Sequence, residues 1–396
     1  MNVKITPAKL SGNIRAIASK SYAHRAIIAA ALADESTEII LNTTSMDIET
    51  TLSCMRAMGA EIAKTERGFL ITPIKKVIKG ITLDCGESGS TARFLIPLAA
   101  AIGSETVFTG HGRLPERPQK ELVDAITSGG GRASGDKLPM TVYGGMKSGV
   151  YEISGDISSQ YVTGLMFALA ALEGNSEIHL TSPLQSAPYV DITMQVLRDF
   201  GVKIEKEESS YKIQGGKFVS PREYFVEGDW SNAAFWLVAS RMGSDIAVTG
   251  LRPDSLQGDK AVLTATGQEE IDASQIPDLV PILAVYAASR KGQTRIINAE
   301  RLRIKESDRL STVTENLKAL GADVQELPAG LIINGSGRLY GGKTEGSGDH
   351  RIVMAMAIAA TICETSVIIE GAEAVAKSYP NFFEDYNVLG GKADVL

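Results

Sequence analysis

The chain has 396 residues, of which 44% are hydrophobic and 22% charged, and it carries a net charge of −7. That is more apolar side chain than one ordinary core holds, so two domains are expected, and no stretch is polar or simple enough to read as disordered. An acidic chain lacks the broad basic surface that general nucleic-acid binding needs.

Cys54, Cys85 and Cys363 are odd in number and lack CxxC spacing, so no disulfide framework is expected. Neither HExxH nor paired Cys/His spacing points to a metal. The N-terminal residues lack the apolar run of a signal peptide, and the most apolar stretch, 353–363, is too short for a bilayer. The expectation is a soluble, cytoplasmic protein with no membrane or nucleic-acid partner.

In chain order, six stretches share one recipe: polar or charged residues, then an Ala-rich apolar run, then a break containing Gly, Asp or Ser. They begin near Lys20, Ser90, Ser158, Ser231, Asp278 and Asp349. Runs that are apolar on nearly every side and rich in Ala predict helices buried in a core. Pro97 interrupts the second run and is expected near its first turn, where proline is tolerated.

Between these runs lie more polar helical stretches ending at Gly59, Gly130, Gly201, Gly321 and Gly390, and less clearly at Gly267. A glycine just past the last turn suits a left-handed C-terminal cap. Alternating segments such as Tyr211-Lys-Ile-Gln and Leu331-Ile-Ile-Asn read as strands. The repeat length is roughly 70 residues, with a shorter fourth unit. Six units divide into two domains of three: residues 19–228, and residues 229–396 joined by the N-terminal strand of 1–18. The chain then crosses twice, with a hinge near 18 and 228.

The chemistry gathers at the starts of the buried helices, where free N–H groups and the dipole favour anions. Ser19-Lys20-Ser21 with Arg25 opens the first, and Gly86-Glu-Ser-Gly89-Ser-Thr91 with Arg93 the second. Ser158-Ser159-Gln160 opens the third and Asp349-His350-Arg351 the sixth. Ser and Asp there are ordinary N-caps. Lys20 and Arg351 oppose the dipole, so a bound anion is expected to remove the conflict. Arg113-Leu-Pro-Glu-Arg117-Pro118 places two arginines in a stiff loop. On a helix expected to start near Ile304, Lys305 and Arg309 share a face, with Glu306 beside them as a proton carrier in a strongly electropositive site.

Taken together and in order, these motifs resemble the 5-enolpyruvylshikimate-3-phosphate synthases. The resemblance extends through Ser186-Ala-Pro-Tyr189-Val-Asp191, Gln257-Gly-Asp259, Ile276-Pro-Asp278, Arg303-Ile-Lys305-Glu306-Ser-Asp-Arg309 and Lys377-Ser-Tyr-Pro380, covering essentially the whole chain. It implies a mixed α/β fold of two domains, each with three βαβαββ units forming an α/β prism. It also implies a cofactor-free monomer whose partners are phosphoenolpyruvate and shikimate 3-phosphate.

By the same resemblance, Lys20, Ser21, Arg25, Ser158, Ser159, Gln160, Ser186, Tyr189, Asp278 and Lys305 would bind shikimate 3-phosphate. Lys20, Gly89, Arg117, Gln160, Arg309, Arg351 and Lys377 would bind phosphoenolpyruvate. Asp278 would act as base and Glu306 as acid, with Lys20 assisting. The chain departs from the family pattern at Ala18, Glu87, Ser90 and Arg301, so no role is carried over to Glu87 or Arg301. Two rivals remain: a transferase placing enolpyruvyl on UDP-N-acetylglucosamine, which often has a cysteine in the loop matching 113–118, and a non-catalytic phosphometabolite-binding protein. No cysteine lies in that loop here.

Overall fold

The computed structural model describes residues 1–103 and 105–396. It is a mixed α/β structure with several mixed sheets and, among the described residues, no closed barrel. The six expected buried helices are Lys20–Leu32, Gly89–Ile102, Ser159–Ala171, Trp230–Arg241, Val280–Ala288 and His350–Ala359. Their all-round apolar faces are explained by burial: most of their residues are inaccessible to solvent. Side chains of Ser88, Ser158, Asp229 and Asp349 cap four of them through the backbone N–H two or three residues on.

Two compact units result, one of Met1–Ile17 with Gly228–Leu396 and one of Ala18–Glu227, each with its own core. Inside the second, Ser19 N donates to Glu227 O at 2.8 Å; inside the first, Asp229 N donates to Ile17 O at 2.8 Å.

The second unit contains three four-stranded sheets built to one plan, with a parallel pair flanked by an antiparallel pair. Ile81–Asp84 runs parallel to Thr106–Thr109, with the buried helix Gly89–Ile102 connecting them; Met140–Tyr143 and Arg132–Ala133 follow antiparallel. The Val150–Ile153 sheet repeats this order. In the third sheet the first strand, Glu223–Phe225, comes from the far end of the unit and pairs with Thr37–Ile40. In the other unit, Val3–Thr6 inserts between Val367–Glu370 and Lys392–Val395, antiparallel to both. The short fourth repeat is visible as a sheet of only two strands, Ser11–Arg15 and Asp245–Thr249.

Five of the expected glycine caps are left-handed, with φ between 78° and 115° at Gly59, Gly130, Gly201, Gly321 and Gly390; Gly267 is not among the positive-φ glycines. Two local expectations fail. Pro97 lies deep inside Gly89–Ile102, not in its first turn. Lacking an N–H, it offers no donor to the Arg93 carbonyl four residues back. Gly164 of the neighbouring helix packs there instead, so closely that a Cβ at Gly164 would fall 2.1 Å from Arg93 O.

The second failure concerns the segment around Lys305. A 3-10 turn, Glu300–Ile304, ends there, Lys305 is extended, and the helix begins only at Arg309, capped by Asp308. The cause is Arg303, whose guanidinium bonds the carbonyls of Pro328 and Leu327 and the carboxylates of Asp308 and Glu326 at 2.8–2.9 Å. These bonds tie the chain to the following hairpin before a helix can start.

Candidate functional site

In the Ala18–Glu227 unit, Lys20, Ser21 and Arg25 occupy the first turns of one buried helix. Lys20 Nζ meets Asp47 Oδ2 at 2.7 Å, so a carboxylate of the chain itself offsets the dipole conflict that was expected to need a ligand. Arg25 is buried and bonded to neutral acceptors: Thr193 Oγ1 at 2.8 Å, Ser21 O at 2.7 Å and Tyr189 O at 3.0 Å. Its guanidinium also lies over the Phe94 ring. Burial lowers its pKa to about 10, which still leaves it charged at neutral pH.

Ser186 introduces the helix Ala187–Asp199 with a left-handed backbone, φ 53° and ψ 40°. A non-glycine residue held there stores strain, and such strain concentrates at functional sites. Tyr189 N donates to Ser186 O at 3.1 Å and Tyr189 O accepts from Arg25, so Tyr189 links the turn at Ser186 to Arg25.

A second cluster forms around Gln160, one residue after Ser159 and two after the capping Ser158. Its Oε1 accepts from Arg93 Nη1 at 2.7 Å and its Nε2 donates to Ser90 Oγ at 2.9 Å, fixing the amide's orientation. Gly89 sits under Arg117: a Cβ there would fall 2.7 Å from Arg117 Nη1. Glu87 packs against Gly112, where an added Cβ would fall 2.2 Å from its Oε2. A buried hydrogen-bond chain runs from His24, beside Arg25 in sequence, to Ser88, beside Gly89: His24 Nδ1 to Thr51 Oγ1 to Thr91 Oγ1 to Ser88 Oγ, at 2.7–2.8 Å per step.

In the other unit, Arg309 is buried and organises the acids. It reaches Asp349 Oδ2 at 2.7 Å through Nε, Asp278 Oδ1 at 2.8 Å through Nη1 and Glu306 Oε2 at 2.7 Å through Nη2. Burial opposes its charge, but these three carboxylates outweigh burial and hold it protonated far above neutrality. Arg351 Nη2 binds Asp278 Oδ2 at 3.0 Å, and Lys305 Nζ lies 3.6 Å from Asp278 Oδ1. Lys377 Nζ donates to Gly348 O at 2.5 Å, bracing the turn before Asp349.

Lys305 and Arg309 therefore converge on Asp278 without sharing a helix face. Burial pulls the Lys305 pKa down to about 8, with Asp278 opposing and Arg309 adding to the fall. The cluster is not the strongly electropositive site expected, because Asp278, Glu306 and Asp349 sit among its cations. Arg351, like Lys20, meets a carboxylate of the chain itself.

Sequence reasoning missed Asp47, Asp349 as the Arg309 partner, and Arg93 as the Gln160 partner. Asp349 and Arg93 stood inside motifs already singled out, whereas nothing near Asp47 marked it. Among the described residues, no group of His, Cys, Asp or Glu is arranged to hold a metal ion, and no helix is long and apolar enough to cross a membrane.

A family model, EPSP synthase (3-phosphoshikimate 1-carboxyvinyltransferase), matches residues 5–386. Proteins named 3-phosphoshikimate 1-carboxyvinyltransferase are similar along almost the full length. The one from Clostridium novyi is 42% identical, covering 99% of this chain and 98% of the relative. The one from Clostridium acetobutylicum is 44% identical, covering 98% and 97%. A solved structure of EPSP synthase from Acinetobacter baumannii superposes with a TM-score of 0.82 at 26% identity, covering 100% of both chains. The enolpyruvyl transferase NikO from Streptomyces tendae shares the fold, with a TM-score of 0.78 at 17% identity over 99% of this chain and 98% of that one. With motifs, fold and full-length relatives in agreement, the chain belongs to the EPSP synthase (3-phosphoshikimate 1-carboxyvinyltransferase) family.

Proposed function

We propose that this chain transfers the carboxyvinyl group of phosphoenolpyruvate to the 5-hydroxyl of shikimate 3-phosphate and releases phosphate. The observation that carries the reading is the gathering of two carboxylates, Asp278 and Glu306, on one buried arginine beside Lys305 and Arg351. A binding protein needs the cations but has no use for the paired acids.

The enol phosphate is a poor electrophile until its methylene carbon is protonated, so the reaction needs a base for the hydroxyl and an acid for the methylene. Asp278 takes the hydroxyl proton as the oxygen bonds to C2, and Glu306 delivers a proton to C3. The tetrahedral adduct then loses the C3 proton and its C2–O bond to phosphate, which restores the double bond. Lys20 assists charge movement.

Arg117, Arg309, Arg351, Lys377 and the Gly89 backbone are assigned to phosphoenolpyruvate, with Lys20 and Gln160 touching both substrates. Ser21, Arg25, Ser158, Ser159, Ser186, Tyr189 and Lys305 are assigned to shikimate 3-phosphate. Their contribution is orientation and charge stabilisation. We place the protein in the shikimate pathway of a reducing cytoplasm, as a monomer. The three cysteines, free and buried, support the reducing compartment.

The test is inorganic phosphate release by the purified chain given phosphoenolpyruvate with either shikimate 3-phosphate or UDP-N-acetylglucosamine. Release only with shikimate 3-phosphate is expected. Release only with the sugar nucleotide would move the chain to the sister activity. Binding of both substrates without release would make it a binding protein.

A further inference from the structure

Asp259 is a buried carboxylate, 3% exposed, to which the reaction above gives no task. It lies in the 3-10 turn Gly258–Ala261 of the short fourth repeat. The residue before that turn fastens it to the start of the helix Trp230–Arg241. Gln257 Oε1 accepts from Trp230 N at 3.0 Å, and its Nε2 donates to Gly228 O at 2.8 Å. One residue into that helix, Ser231 Oγ makes a short hydrogen bond to Asp259 Oδ2.

The direction of that bond matters. A serine hydroxyl has one proton, and an ionised carboxylate only accepts. Ser231 therefore donates to Asp259 and turns its lone pairs outward. Arg351 Nη2 uses them, donating to Ser231 Oγ at 2.9 Å while it binds Asp278 Oδ2 at 3.0 Å. Without Asp259 the hydroxyl rotor is free, and a proton turned toward the guanidinium would repel it. Burying a second carboxylate is costly, and what it secures here is the orientation of one serine proton.

We propose that Asp259 is a positioning residue for Arg351: acting through Ser231, it holds the guanidinium in the orientation that receives the anionic end of phosphoenolpyruvate. This rests on the assignment of Arg351 to phosphoenolpyruvate made above.

The arrangement is sensitive to acid. Burial, and next the charge of Asp278, raise the Asp259 pKa to about 6, against Arg351 and Ser231; Asp229 on the adjoining helix start adds to the rise. Lys260 on its own turn is directed to the Pro253 and Ser255 carbonyls. Protonated Asp259 becomes a donor to Ser231, whose proton then turns toward Arg351. Affinity for phosphoenolpyruvate is therefore present above that pKa and falls as pH drops through it.

The experiment compares wild type, Asp259→Asn, Ser231→Ala and Ser231→Thr as full chains. Phosphate release is followed with phosphoenolpyruvate varied at saturating shikimate 3-phosphate, between about pH 5 and pH 8. At neutral pH, Asp259→Asn and Ser231→Ala should each raise the KM for phosphoenolpyruvate about tenfold, the size expected for supporting hydrogen bonds. Their kcat and their KM for shikimate 3-phosphate should stay near wild type. Combining the two should add nothing further, because they break one relay. The acid-side fall in kcat/KM should flatten in Asp259→Asn, and Ser231→Thr, which keeps a hydroxyl, should behave as wild type.

An unchanged KM for phosphoenolpyruvate, or a wild-type acid limb in Asp259→Asn, would overturn the proposal. If Asp259→Asn does not fold, the contrast between Ser231→Ala and Ser231→Thr decides alone. Calorimetric titration with phosphoenolpyruvate in the presence of shikimate 3-phosphate reads the same affinities without turnover. A wild-type chain that binds but releases no phosphate would sink the proposed reaction, while those titrations would still decide the role of Asp259.

Discussion

Asp278 and Arg309 meet at 2.8 Å between Oδ1 and Nη1, and the same guanidinium holds Glu306 Oε2 at 2.7 Å through Nη2. The proposed base and acid are thus spaced by the two ends of one rigid, buried fork, a geometry that lysine could not supply.

If Asp278 is the base, Asp278→Asn keeps the shape and most of the hydrogen bonding but cannot take a proton. Turnover should fall by about 100-fold or more. Calorimetry should find both substrates still bound. Steady-state kinetics giving nearly normal kcat would remove Asp278 from that role.

Lys305, with its pKa pulled by burial to about 8, should leave an alkaline limb in kcat/KM. The ammonium form attracts the anionic substrate, so activity of the free chain falls as pH rises through that value. Lys305→Gln should be slower throughout and show no such limb. A wild-type limb retained in that variant would assign it to another group.

Gly89→Ala adds a methyl group that would fall 2.7 Å from Arg117 Nη1. The long arginine side chain moves more easily than a helix start, so the fold should survive. The KM for phosphoenolpyruvate should rise about tenfold or more, with little change for shikimate 3-phosphate. Equal increases for both substrates would show that the guanidinium was not the part displaced.

Gly164→Ala meets backbone instead, 2.1 Å from Arg93 O. Nothing there can rotate away, so the helices Gly89–Ile102 and Ser159–Ala171 must separate. A destabilisation of about 1–3 kcal/mol is expected in urea unfolding. An unchanged midpoint would mean that the pair tolerates separation and that the close approach contributes nothing to stability.

The buried helices were legible because Ala-rich runs, apolar on every side, have few other uses. The shorter fourth repeat was legible in spacing alone. Strand partners were not: nothing local in Glu223–Phe225 reveals that it pairs with Thr37–Ile40, since partner choice in a sheet is a long-range matter. At the site, Lys20, Arg309 and Arg351 stood out in sequence, and so did Asp278, Glu306 and Asp349, but the pairing of these acids with those cations did not, and Asp47 did not stand out at all. Asp47 lies 27 residues from Lys20, and Asp349 lies 40 from Arg309. Treating each cation as unmatched therefore overestimated the positive field. The helix expected at Ile304 failed for a related reason, since Arg303 is held by the hairpin beyond it.

The insertion of Val3–Thr6 between Val367–Glu370 and Lys392–Val395 sets an order of events during synthesis. Residues 18–227 form one uninterrupted stretch and can complete their core while the ribosome is still translating residues 228–396. Val3–Thr6 must wait, without either partner, until residues 367–395 have been made. Its brevity and its Lys4 make it a poor template for stray pairing during that wait.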